Sequence, residues 1–348
     1  MITDDSLREG MQAPGISFSV EEKLSLAKRI AECGISRILV SYPPAHRSEV
    51  YVASELVKRN YFREVYGLGR AIREDIDLIN GTGANISLHF PFKYDSLEDV
   101  YRNVEYAVSL APRVEVAVVD ITQYDTETLV KIVERLSKIG VDTIQLPDTM
   151  GKATPALIRK VISEAKKVSS SDIEIHCHND KGMSMANAIA GIEAGADMVD
   201  ATFLGLGERN GITDMGSMAQ YLDSTHLAKS LNIERIQKLS MEFYNLVIKK
   251  AGISFFANNI ANIGKNIITH TAGTHAAFSD VFHGEEFSVN VYTGKGMLKK
   301  ILGTKNIELS RENIEKLMDR IKDISSNEGR VIGVQEILKE AENFVQSN

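Results

Sequence analysis

Two imidazoles and a carboxylate share one face of a short stretch, Glu174-Ile175-His176-Cys177-His178-Asn179-Asp180. In an extended chain successive side chains point to opposite faces. Glu174, His176 and His178 therefore lie together, with Ile175 and Cys177 on the apolar side. Neutral imidazole is the commonest protein metal ligand, and two on one face need only a carboxylate to make a divalent-cation site. Asn179-Asp180 end the stretch and put the pair at a strand terminus. Such a site polarises a bound carbonyl as a Lewis acid.

The surrounding elements must position this face. From residue 1 to about 225 short β-branched runs alternate with amphipathic helical runs. The predicted strands are Met1–Asp4, Ser36–Ser41, Glu64–Leu68, Asn85–Phe90, Val114–Asp120, Thr143–Leu146, Ile173–His178 and Met198–Phe203. Helices are predicted between them, such as Val20–Cys33 behind the Ser19/Glu22 capping box, Thr154–Val168 and Met183–Ala194. This is the period of an α/β (β/α)8 TIM barrel. A doubly wound sheet is the runner-up, but the glycine-rich phosphate loop it normally carries after the first strand is absent. A barrel collects its chemistry at the C-terminal ends of its strands, and polar residues gather there: Arg8, Glu9 and Gln12; Arg70; His89; Asp120; Asp148 and Thr149; His176 and His178; Glu208 to Asn210.

The 348 residues suffice for one large domain with an appendage, and 43% hydrophobic with 25% charged residues is ordinary for a globular chain. A formal net charge of −7 argues against a nucleic-acid surface. Cys33 and Cys177 read as buried thiols in a reducing compartment. The start lacks a basic region followed by an apolar run, and no stretch reaches the roughly 20 apolar residues of a membrane span. A cytoplasmic protein with no membrane partner is expected. Beyond about residue 225 the alternation stops. Residues 226–348 are expected to form a lid and a helical subdomain, with helices over Ile233–Ala251, Met297–Leu302, Ser310–Ser325 and Val334–Val345.

Four stretches in this order resemble the metal-dependent Claisen-condensing synthases, the 2-isopropylmalate, homocitrate and citramalate synthases. They are Asp4-Asp5-Ser6-Leu7-Arg8-Glu9-Gly10-Met11-Gln12, Leu146-Pro147-Asp148-Thr149-Met150-Gly151, His176-Cys177-His178-Asn179-Asp180 and Gly205-Leu206-Gly207-Glu208-Arg209-Asn210-Gly211-Ile212-Thr213. His270-Thr271-Ala272-Gly273-Thr274-His275 resembles the lid segment of that family, and Thr293-Gly294-Lys295-Gly296 a glycine-rich turn further on. The resemblance implies Glu9, His176 and His178 as ligands of one divalent ion (Mg, Mn or Zn), with acetyl-CoA and a 2-oxo acid as substrates. It implies Arg8 steadying the alkoxide, Thr149 holding the oxo-acid carboxylate, Gln12 and Glu174 supporting the ligands, and His275 moving a proton. Tyr66, His89, Ala117 and Thr202 are expected near the substrate, and Glu208, Asn210, Gly294 and Lys295 near CoA. A homodimer serving amino-acid biosynthesis is also implied.

The chain departs from that family on its fifth strand. Homocitrate synthases place an arginine and a serine there for the distal carboxylate of 2-oxoglutarate. Here the counterparts are Ala117 and Val119, depending on where a short gap is set. A buried carboxylate without a cation is costly, so 2-oxoglutarate is not the expected partner. Val119-Asp120 stands for the usual Glu-Asp, so either Asp120 takes over the polar contact or the proton relay differs. The alternatives are a homocitrate synthase proper, an aldolase or 3-hydroxyacyl-CoA lyase on the same barrel, and a non-catalytic metal-binding homologue. The lyases carry a cysteine where Glu208-Arg209 stands here.

Overall fold

The computed structural model describes residues 1–91, 96–227, 230–260, 265–271 and 286–346. Parallel strands close into a barrel in chain order: β1 (Ile2–Asp4), β2 (Arg37–Ser41), β3 (Glu64–Arg70), β4 (Asn85–Phe90), β5 (Val114–Val118), β6 (Thr143–Asp148), β7 (Asp172–Cys177) and β8 (Met198–Ala201). β1 pairs with both β2 and β8, so the sheet has no edge. Helices cover the outside and bury the apolar face of the strands, Ile38, Val65, Ile86, Val116, Ile144, Ile175 and Val199 among them. The helices are α1 (Val20–Glu32), α2 (Arg47–Arg59), α3 (Arg73–Asn80), α4 (Leu97–Leu110), α5 (Thr126–Ile139), α6 (Pro155–Val168), α7 (Ser184–Glu193) and α8 (Met215–Ser224).

Local chemistry starts the helices where the sequence says it should. The Ser19 hydroxyl accepts from the Glu22 amide at 3.2 Å while the Glu22 carboxylate accepts from the Ser19 amide at 2.8 Å, the reciprocal cap expected for α1. α1 then buries Leu24, Ala27 and Ile30, at helical spacing, against the barrel. Two strands stop earlier than their apolar runs. β5 ends at Val118 because Asp120 turns into the left-handed region, φ +50°, and β8 ends at Ala201 before a turn in which Leu204 sits at φ +60°.

Below the strand ends the barrel interior is charged. Arg37 donates to Glu64 at 2.8 Å and to Glu115, and reaches Glu174 at 3.4 Å; the Tyr66 ring lies 4.0 Å from its guanidinium carbon.

The chain then returns over the barrel through α9 (Ile233–Ala251), whose Phe243 ring stacks on Phe203 at 4.9 Å. A short α10 (Ser254–Asn258) follows. α11 (Lys295–Gly303), α12 (Arg311–Glu328) and α13 (Val334–Gln346) build a second apolar core around Leu298, Ile301, Leu317, Ile321 and Ile337. Residues 288–293 strap this unit to the barrel. The Asn290 amide donates to the carbonyls of Met11 and Ile16 at 2.7 and 3.3 Å, and the Ser288 hydroxyl accepts from the Gly15 amide at 3.0 Å. The Tyr292 hydroxyl lies 2.9 Å from Glu49, whose carboxylate is paired with buried Lys23 at 2.7 Å. Among the described residues no helix is long and apolar enough to cross a membrane.

Candidate active site

Glu9 reaches the paired histidines from the far end of the chain. It opens a short helical turn, Glu9–Gln12, directly after β1, while His176 lies on β7 and His178 just beyond its end. Ligand atoms of Glu9, His176 and His178 all fall within 4.8 Å of one another, and all three side chains are buried. The two imidazole centroids are 5.0 Å apart, and Nε2 of His178 is 4.0 Å from Oε1 of Glu9.

Two of these three candidate ligands, His176 and Glu9, are held from behind. His176 Nδ1 lies 2.7 Å from Asp200 Oδ2, on the inward face of β8, which leaves Nε2 for a cation. Glu9 Oε1 accepts from the Glu208 amide at 2.9 Å, and Oε2 accepts from Arg8 at 2.6 Å. With its nitrogen turned toward Glu9, the Gln12 amide donates to the same carboxylate at 2.6 and 3.1 Å. Burial pushes the His176 pKa down to about 4 and that of His89 to about 3, so both rings are neutral at physiological pH. Burial works against the Arg8 charge, but Asp5 and Glu9 outweigh it and raise its pKa above the ordinary value. Two imidazoles and a carboxylate, with His176 and Glu9 each oriented by a further contact, fit a divalent cation and leave coordination positions open.

A cavity of about 40 Å³ opens on these groups. Arg8, Gln12 and Thr149 border it on the ligand side, and His89, Val119, Gln145 and Pro147 form the remaining wall. The Thr149 hydroxyl accepts from the Asp120 amide at 2.9 Å. Arg8 is fixed by Asp5 through Nε at 3.0 Å and through Nη2.

Several expected contacts lie elsewhere. Glu174 shares the face of His176 but sits two residues earlier, one layer deeper, against Arg37. Tyr66 belongs to that same deeper layer, its hydroxyl 3.3 Å from Glu64. Val119, not Ala117, borders the cavity; Ala117 precedes it by two residues, within β5. The Asp120 carboxylate is spent on its own turn, accepting from the Thr122 amide and hydroxyl and the Gln123 amide at 3.3, 2.7 and 2.9 Å. Thr202 donates to the Leu206 carbonyl at 2.6 Å and is off the cavity.

The residues expected near CoA divide. Glu208 is buried and accepts from the Thr271 amide at 3.0 Å, with His270 Nδ1 3.6 Å away. Asn210 is buried and donates to the Asn259 carbonyl at 3.0 Å. Gly294 and Lys295 border a separate cleft of about 580 Å³ between the barrel and α12, where Lys295 pairs with Glu315 at 2.7 Å. His275 lies outside the described residues.

A family model described as HMGL-like matches residues 1–242. The chain belongs to the HMGL-like family. This HMGL-like chain is 30% identical over 360 residues to a protein named 2-isopropylmalate synthase from Sulfurisphaera tokodaii, across 95% of this chain and 92% of that one. It is 32% identical over 295 residues to a protein named homocitrate synthase from Pyrococcus abyssi, across 80% and 79% of the two chains. Those names place it with the Claisen-condensing synthases of the HMGL-like family, as an enzyme. A hydroxymethylglutaryl-CoA lyase from Pseudomonas aeruginosa superposes with a TM-score of 0.61 at 16% identity, over 74% of this chain and 96% of that one, a likeness of fold alone.

Proposed function

We propose that this enzyme condenses acetyl-CoA with a 2-oxo acid of short or apolar side chain, giving a 2-hydroxy-2-alkyl dicarboxylic acid and free CoA. The observation that carries the reading is the convergence of Glu9, His176 and His178 beside Arg8 at one cavity. A divalent ion held there supplies Lewis-acid polarisation of the keto group. Arg8 adds a permanent charge beside the same oxygen as it becomes an alkoxide, at a site where burial strengthens the interaction. Thr149 offers its hydroxyl to the oxo-acid carboxylate, and Gln12 and Glu208 keep Glu9 in place. A base takes a proton from the acetyl methyl group, a new carbon–carbon bond forms, and water then cleaves the thioester and releases the thiol. His275 remains the proposed group for that proton. Lys295 and Gly294 are proposed for the CoA phosphates. A cytoplasmic homodimer belongs to the same proposal.

The choice against 2-oxoglutarate rests on the rest of the cavity lining. His89, Val119, Gln145 and Pro147 supply no cation for a second carboxylate. The homocitrate reading is kept alive by the relative of that name and is decided by the same assay. Thiol release from acetyl-CoA is measured across pyruvate, 2-oxobutanoate, 2-oxoisovalerate and 2-oxoglutarate, with and without chelator. Release with an oxo acid of uncharged side chain that chelator abolishes and Mn²⁺ restores supports the proposal. Release with 2-oxoglutarate above all others, or carbonyl formation from hydroxy acids without CoA, overturns it.

A further inference from the structure

Three loops meet at one buried guanidinium. Arg209 follows β8, Asp180 follows β7 and Thr149 follows β6. Arg209 binds Asp180 fork to fork, Nε to Oδ1 at 2.8 Å and Nη2 to Oδ2 at 2.7 Å, and the pair is fully buried. The same Nη2 donates to the Thr149 carbonyl at 2.7 Å. The arrangement is held under strain, because Arg209 sits at φ +54°, a left-handed conformation that side-chain-bearing residues rarely adopt. Asp180 also presses on the loop after β6. A Cβ at Gly151, itself at φ +58°, would stand 2.6 Å from Asp180 Oδ2.

We propose that Arg209 is a positioning residue for the organic acid, acting through Thr149. Thr149 is gripped at two points. Its hydroxyl accepts from the Asp120 amide, which belongs to the neighbouring β5 side, and its carbonyl accepts from Arg209. With both ends fixed, the hydroxyl has one orientation to offer the cavity. Removing the Arg209 contact leaves the residue anchored on one side only. A lysine cannot replace this grip, since a single ammonium cannot hold both Asp180 oxygens and the Thr149 carbonyl in the planar geometry seen here. Arg209 does not border the cavity, so its influence passes through the peptide it holds.

The proposal rests on the reading of Thr149 as a contact of the oxo acid, and the test separates the two. Pyruvate, which carries only the carboxylate and keto group at issue, is titrated calorimetrically into Mn²⁺-loaded protein without acetyl-CoA. The unmodified chain, Arg209→Lys, Thr149→Ala and the double variant are compared, with Mn²⁺ affinity and thermal unfolding measured alongside. The expected result is about tenfold weaker pyruvate binding in Arg209→Lys, Mn²⁺ affinity within twofold of the unmodified chain, and no further loss when Arg209→Lys is added to Thr149→Ala. Equal pyruvate binding in Arg209→Lys overturns the proposal. So does an additive loss in the double variant, or a fall in Mn²⁺ affinity that accounts for the whole effect. If the unmodified chain binds Mn²⁺ but no pyruvate, the reading of the cavity fails first, and the proposal falls with it. Should Arg209→Lys not fold, Asp180→Asn, which keeps volume but breaks the fork, is measured in its place against the same outcomes.

Discussion

The Glu208 amide donates to Oε1 of Glu9 at 2.9 Å across a separation of 199 residues, so the loop after the last strand fixes a proposed metal ligand that follows the first. That contact closes the ring of loops just as the β1–β8 pairing closes the ring of strands. The proposed metal centre therefore depends on barrel closure and not on β7 alone.

Loss of either histidine is expected to abolish tight binding of a divalent cation while the fold survives, because both rings lie at the rim. Substitutions His176→Ala and His178→Ala are expected to cut condensation at least 100-fold, with far-ultraviolet circular dichroism unchanged. Equilibrium dialysis against Mn²⁺ checks this, and a doubly substituted chain that still retains one equivalent of metal refutes it.

Gly211 shapes the turn that presents the Glu208 amide. It sits at φ +79°, and a Cβ there would lie 1.8 Å from the Gly205 carbonyl oxygen. Gly211→Ala is expected to lose about 1–3 kcal/mol of stability, and more if the loop cannot shift. At Gly294 a Cβ would meet nothing within 4 Å, so Gly294→Ala serves as the near-neutral control. Urea denaturation midpoints for the two variants give the comparison; equal midpoints would contradict the argument.

Asp4 gives stability a pH dependence of definite sign. Burial raises its pKa to about 7, against the opposing effect of Ser6, whose amide and hydroxyl donate to it at 3.1 and 2.9 Å. The folded state thus holds its proton more tightly than the unfolded chain does. This contribution is fully present below about pH 4, the unfolded value, and is lost as pH rises through about 7. Asp4→Asn keeps a neutral side chain at every pH. Its stability relative to the unmodified protein is expected to rise between pH 4.5 and 7.5, as measured by denaturation at both ends. A constant difference would mean that Asp4 does not titrate in that window.

Val119 is the place where a cation would change selectivity. It borders the cavity on the β5 side, where among the described residues lining the cavity no cation stands beside it for a distal carboxylate. Val119→Arg is expected to move the ratio of kcat/KM for 2-oxoglutarate over that for a short neutral oxo acid by tenfold or more, equivalent to ~1.4 kcal/mol. Steady-state rates with both acids decide it, and an unchanged ratio would place the substrate side chain on another wall.

The barrel and its polar rim were legible in the sequence because period-two and helical spacing report faces directly. Those signals do not report depth. Glu174 and His176 share a face, yet the two-residue step between them puts one against Arg37 and the other against Glu9. Nor do they report what a turn consumes. Asp120 has the right chemistry, but its left-handed backbone folds the carboxylate onto Thr122 and Gln123. Asp200 and the Asp180–Arg209 pair went unread, although each left a trace. Asp200 interrupts an apolar strand in the parity of Met198, and Asp180 and Arg209 are opposite charges just beyond neighbouring strand ends. Gln145, whose amide lies 3.4 Å from Asp200, left no comparable trace.

The Asn290 amide holds the same backbone that carries Glu9, clasping the carbonyls of Met11 and Ile16 from a point nearly 300 residues downstream. A swing of the three closing helices that carried Asn290 with it would have to release that clasp and slacken the turn bearing Glu9, the proposed ligand. A swing hinged on the far side of Thr293 would leave the clasp, and with it the proposed cation site, undisturbed.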